Sequence, residues 1–122
     1  MRGRHEGADV AAINYASSLV NLERFEEAKP LLRRKLPMAR RVLGETNETT
    51  LRMRWYYAEA LCRADGATLD DFREAVTTLE DTERIARRVL GAAHPITIGI
   101  GKALQRARKK LRAHETPPPG SA

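Results

Sequence analysis

One cysteine, Cys62, is present in 122 residues, so no internal disulfide can form and a disulfide-framed scaffold is excluded. Long apolar runs are missing too: nothing approaches the roughly 18 residues that a membrane span requires. The basic stretch Met1–Gly7 is not followed by the apolar segment of a signal peptide. The expectation is a soluble, cytoplasmic protein with no membrane association. Aromatic side chains make up only 5% of the chain, which leaves Leu, Val, Ile and Ala to build a core. There is no phosphate-binding glycine loop, no metal-ligand pair at useful spacing, and no Ser, Cys or His set in a nucleophile context. No enzyme, metal or cofactor is expected. Acid is absent between Gly101 and Ala113, where Lys102, Arg106, Arg108, Lys109, Lys110 and Arg112 account for the whole net charge of +6. The remaining sixteen cations are balanced by sixteen acids, so any electrostatic argument about partners concerns that one segment.

What the chain does have is a phrase written twice. Residues 40–51 read RRVLGETNETTL and residues 87–98 read RRVLGAAHPITI. Each copy closes one helix with basic residues and a glycine, then opens another with a polar start. Repetition at this period marks stacked helical hairpins, each unable to bury its apolar face alone.

Helical spacing fills in the rest. Ala12, Tyr15, Ala16 and Leu19 give a first helix from Asp9. Phe25, Ala28, Leu32, Leu36, Ala39 and Leu43 give a second from Arg24, interrupted by Pro30 and by Pro37, which should bend it. Asn47 caps a third helix with Leu51, Tyr57, Ala58 and Leu61 inside. Thr68-Leu69-Asp70-Asp71 has the form of a capping box for a fourth, whose stripe is Phe72, Ala75, Leu79, Thr82, Ala86 and Val89. His94-Pro95 opens a fifth, with Ile100, Ala103, Leu104, Ala107 and Leu111 on one side and Lys102, Arg106, Lys109 and Lys110 on the other. His94 reads as a helix-start residue. Tyr15 and Tyr57 read as packed rings with surface hydroxyls, and Cys62 as a small part-buried apolar group. The fold class is therefore all-α: five helices, about two and a half hairpins. Residues 1–8 form a flexible lead, 9–43 the first hairpin, 47–90 the second, 94–113 a terminal helix, and 114–122 a proline-rich disordered tail.

These residues resemble tetratricopeptide repeats of the kinesin light chain type. Asn14-Tyr15-Ala16 with Leu19 matches the family's opening, Phe25-Glu26-Glu27-Ala28-Lys29-Pro30-Leu31-Leu32 its middle, and Leu90-Gly91-Ala92-Ala93-His94-Pro95-Ile96-Thr97 its closing phrase. In the second hairpin, Tyr56-Tyr57-Ala58 and Phe72-Arg73-Glu74-Ala75 take the corresponding places. The likeness covers about residues 8–112. Asn47-Glu48 replaces His-Pro, Glu23 stands where a turn glycine is expected, the turn around 67–71 is longer, and the last hairpin has only its first helix. The resemblance implies an inner wall formed by the first helices and a peptide groove in which Asn14 holds a ligand's backbone. Hairpin geometry places Ile13, Ser17, Arg52, Trp55, Tyr56, Glu59, Arg63, Lys102 and Arg106 on the same wall. Asn14 and Trp55 read equally well as packing residues within the stack.

The implied function is a non-catalytic protein–protein interaction module whose partner is an extended, acidic peptide. Two alternatives remain. The basic terminal helix could bind nucleic acid or another polyanion, though the neutral remainder offers no continuing track and few stacking aromatics. The chain could also be a structural or self-associating fragment of a longer repeat array, with an apolar edge left by the incomplete final hairpin for another copy or further sequence to cover.

Overall fold

The computed structural model describes residues 2–115, with side chains from residue 10 onward, and all of its regular structure is helical. The elements are α1 (Arg2–Asn21), α2 (Phe25–Val42), α3 (Glu48–Arg63), α4 (Leu69–Val89) and α5 (Pro95–Glu115). The start of α1 at Arg2, ahead of the predicted Asp9, corrects the reading of residues 2–8 as outside the helices. The terminal helix continues through His114 and Glu115, and the rest of the proposed tail lies outside the described residues.

The local signals act as their chemistry dictates. Asn47 Oδ1 accepts the Thr49 N–H at 2.8 Å. Thr68 and Asp71 complete a reciprocal capping box, with Asp71 N–H to Thr68 Oγ1 at 3.2 Å and Thr68 N–H to Asp71 Oδ2 at 2.9 Å. His94 Nδ1 accepts the Ile96 N–H at 3.1 Å, which gives the histidine its helix-start role. Gly44 and Gly91 follow the ends of α2 and α4 with φ of 93° and 97°, a conformation open to glycine. α2 runs unbroken through Pro30 and Pro37, both on its exposed side, where water can satisfy the carbonyls that the prolines leave without a donor.

Each helix packs on its neighbour in sequence, and α3 touches all four others. α1 and α5 both lie beside α3, so the first helices of the hairpins form one layer. The backbones of α2 and α4 stay apart, and long side chains bridge them: Lys29 to Asp71 at 3.6 Å and Arg33 to Glu74 at 3.8 Å. The arrangement is a stack of antiparallel helical hairpins.

The core follows most of the predicted stripes, with Phe25, Ala28, Leu32, Leu51, Leu61, Leu79 and Ile100 all buried. Three expectations fail. Tyr15 is 55% exposed, because the buried side of α1 runs through Ala16, Leu19 and Val20. Leu43 and Val89 end their helices at the surface. In the other direction, α3 buries far more than one stripe, including Met53, Ala60, Cys62, Arg54 and Glu59, because neighbours surround it.

Candidate interaction surface on the first helices

On α3, Arg52, Tyr56, Glu59 and Arg63 recur at helical spacing and share one side. Glu59 is the fixed point. Its carboxylate is only 11% exposed, accepts from Arg106 Nη2 on α5 at 2.9 Å, and accepts from Arg63 Nη1 at 3.2 Å. Arg63 Nη2 in turn donates to Glu23 at 2.7 Å, and its guanidinium lies 4.6 Å from the Phe25 ring centre. An alternating chain, Glu23–Arg63–Glu59–Arg106, therefore joins the α1–α2 turn, α3 and α5. Lys110 Nζ donates to the Cys62 carbonyl at 3.2 Å beside it. Between α3 and α5 these groups rim a cleft of about 240 Å³ with a floor of Ala58, Cys62, Leu79 and Ala103. Burial pushes the Cys62 thiol up to about 11, so it is protonated at neutral pH.

The other predicted residues divide. Trp55 stands between α3 and α5 with its ring against Gly99, where a Cβ would come within 2.4 Å of Cη2. It tilts against Tyr56 at 5.3 Å between centroids, and its indole N–H is buried with no acceptor. Arg52 donates to Glu48 at 3.0 Å in a surface pair confined to α3. Asn14 is exposed, and its backbone carbonyl accepts from Ser18 at 3.0 Å; Ser17 and Ile13 are half-buried. Lys102 borders a separate cleft with Glu83, Arg87 and Arg108 and does not join the Glu59 cluster.

Four residues outside the predicted set matter here. Glu23, Cys62 and Lys110 complete the cluster around Glu59. Arg54, 6% exposed, crosses to α4 and donates to Asp81 at 2.7 Å, holding that carboxyl below its usual range. The spacing of Glu59 and Arg106, 47 residues and thus one repeat period, was a usable sign that they face each other. Nothing comparable pointed to the Cys62 carbonyl, since a backbone group leaves no trace in side-chain patterns.

The cations of α5 do not form one track. Arg106 and Lys110 turn toward α3, whereas Arg108 Nη2 donates to Glu80 on α4 at 2.9 Å. Among the described residues, no group of three or more His, Cys, Asp and Glu side chains is placed to hold a metal ion. No helix among them is long and apolar enough to cross a membrane.

No family model matches the chain, and no curated protein or solved structure matches it.

Proposed function

We propose that this stack of hairpins is a non-catalytic protein–protein interaction module and that it holds an extended acidic peptide along the layer of α1, α3 and α5. The observation that carries the reading is the cleft between α3 and α5, where Arg63, Arg106 and Lys110 surround the single buried carboxylate of Glu59. Arg106 has five N–H donors and Lys110 three, so both keep donor capacity for a ligand carboxylate. The closer approach of the first helices than of α2 and α4 supports a hollow on that side. In this reading Glu59 positions the arginines, Tyr56 and the exposed part of Trp55 supply an apolar shelf, and Asn14 offers its amide to the ligand backbone. Arginine and tryptophan are the side chains that most often dominate binding energy at such surfaces.

The test is affinity selection from a random peptide library followed by fluorescence anisotropy. Acidic sequences should be enriched, and their binding should weaken at least tenfold in the Arg106→Gln, Lys110→Gln double variant, with circular dichroism showing that the variant is still folded. Selection of sequences with no acidic bias, or equal affinity for the variant, would remove the reading. The nucleic-acid alternative draws no support from the divergent aim of the α5 cations.

A further inference from the structure

Arg54 and Tyr57 leave α3 on the side opposite Glu59 and Arg63, toward α2 and α4. They form the floor of a furrow of about 190 Å³, with Arg33 and Arg40 on its α2 wall and Glu74 and Thr78 on its α4 wall. Charges alternate in and beside it. Arg33 Nη2 lies 3.8 Å from Glu74 Oε1, and its Nε–H donates to the Tyr57 hydroxyl at 3.0 Å. Arg40 donates its Nε–H to Glu45 Oε1 on the α2–α3 turn. Arg54 Nη2 donates to Asp81 at 2.7 Å, and Arg84 shares that carboxylate. Four guanidiniums thus meet three acids.

One donor of this set is unmet. Arg54 is 6% exposed, and its Nη1 is buried with no hydrogen-bond partner. Glu45 Oε2 stands 3.6 Å from it, within ion-pair range but too far for a hydrogen bond. Leaving a donor of a buried cation unmet is costly. Stacking of the hairpins does not demand that cost. One period later, Ala92, Gly101 and Leu104 stand in the places of Glu45, Arg54 and Tyr57, and α4 packs on α5 without their charges. The shape of a carboxylate accounts for the gap. Its two oxygens lie in one plane, and with Oε1 on Arg40 the Glu45 group does not bring Oε2 to Nη1. A phosphoryl group spreads three oxygens tetrahedrally and carries up to two charges. Guanidinium forks match that geometry.

We infer that this furrow is a binding site for a phosphoryl group, free as inorganic phosphate or esterified in a small molecule, which takes the place of the Glu45 carboxylate between Arg40 and Arg54. Glu45 now holds that place as an internal stand-in. Its side chain is 45% exposed and follows Gly44, so it swings into solvent when a ligand with more oxygens arrives. One ligand oxygen then meets Arg40, a second meets Arg54 Nη1, and the third turns toward the walls that carry Arg33 and Thr78. Asp81 keeps the other end of the Arg54 guanidinium in position throughout. The site lies on the side of α3 opposite the Glu59 cleft and is independent of peptide binding there.

The test titrates the full chain with inorganic phosphate and, separately, with O-phosphoserine, at constant ionic strength and mildly alkaline pH. Side-chain N–H signals of Arg40 and Arg54 in nitrogen–proton spectra are the readout. Both signals should shift together and saturate at one equivalent. Acetate should bind at least tenfold more weakly, since it offers no third oxygen. Arg54→Gln breaks a buried pair and risks unfolding, so the variants are made at the exposed partners, with folding checked by circular dichroism. Arg40→Gln should weaken phosphate binding at least tenfold. Glu45→Gln should tighten it severalfold by removing the competing charge, an effect that a purely structural Glu45 does not produce. The Lys109→Gln, Arg112→Gln double variant, altered at exposed cations of α5, should bind as the parent does. Preference for inorganic phosphate would identify the free ion as the ligand, and equal or tighter binding of O-phosphoserine an ester; either supports the site. Unsaturable shifts, equal affinity for acetate, equal affinity in Arg40→Gln, or no gain in Glu45→Gln would overturn it. So would a loss of binding in the α5 variant, which would mark diffuse attraction to surface charge.

Discussion

Glu59 and Arg106 are 47 residues apart in the chain and 2.9 Å apart in space. That interval is the repeat period, so the two occupy the same place on adjacent first helices. Regular stacking brings such places side by side, and opposite charges there tie one hairpin to the next. The Glu59 carboxylate also holds Arg63, so a single acid orients two of the three cations of the cleft.

Replacing Glu59 by glutamine keeps its shape and removes its charge. Hydrogen bonds to a charged group contribute about 1.5–3 kcal/mol, but Arg106 is more than half exposed and its share is screened. A loss of about 1–2 kcal/mol in urea denaturation is expected. Acidic peptides should bind the variant more tightly, because the competing carboxylate is gone. Weaker binding would mean that positioning by Glu59 outweighs its competition.

Gly99 and Gly101 separate two effects of a missing side chain. Helix propensity alone favours alanine over glycine by about 1 kcal/mol at either position. At Gly99 the added carbon would lie 2.4 Å from the indole of Trp55, a rigid ring, and overpacking costs typically about 1–3 kcal/mol. Gly99→Ala should therefore lower the melting temperature and shift the Trp55 emission. At Gly101 the added carbon would meet Glu83 Oε2 at 2.8 Å, the end of a flexible side chain that can move aside. Gly101→Ala should be neutral or stabilising by up to about 1 kcal/mol. Equal effects at the two sites in thermal melts would contradict this account.

Glu23 has a φ of 59° without being glycine. The left-handed region costs an ordinary residue roughly 1–2 kcal/mol. Its ion pair with Arg63 is mostly solvent-exposed and returns about 0–1 kcal/mol. Glu23→Asn, which tolerates the conformation better, should raise the urea midpoint slightly and free Arg63 for ligand. A lower midpoint would show that the Glu23–Arg63 pair outweighs the strain.

Stability should depend on pH through carboxylates held below their usual range. For Asp81 the first cause is the hydrogen bond from Arg54, and for Asp71 the N–H of Thr68 at the capping box. A carboxyl with a lowered folded-state value contributes stability that is complete above its unfolded value, near 3.9, and is lost as pH falls through the folded one. Urea midpoints should therefore be steady from pH 7 to about 5 and fall below about 4. The Asp81→Asn variant should be less stable at neutrality and show a shallower fall. A decline already present between pH 7 and 6 would point to other groups.

Much of the architecture is legible in residue order because helix starts, stops and stripes are local. Asn47, Thr68 with Asp71, Gly44 and Gly91 act within a turn or two of themselves, and a local rule needs no knowledge of neighbours. The stripe of α1 was misread at Tyr15 because periodicity names an apolar side without saying whether anything covers it. Trp55 was undecided between shelf and packing for the same reason, and only the approach of Gly99 shows where its ring lies.

The sequence by itself determined the helices, the hairpin period and the concentration of positive charge on the last helix, since each follows from residue order along one element. Tertiary structure decided which cations point toward α3 and which toward α4, that Glu59 sits among them, and that Tyr15 and Leu22 stay at the surface. Those outcomes depend on the rotation of one helix against another. Packing fixes that rotation over distances that no short stretch of sequence spans.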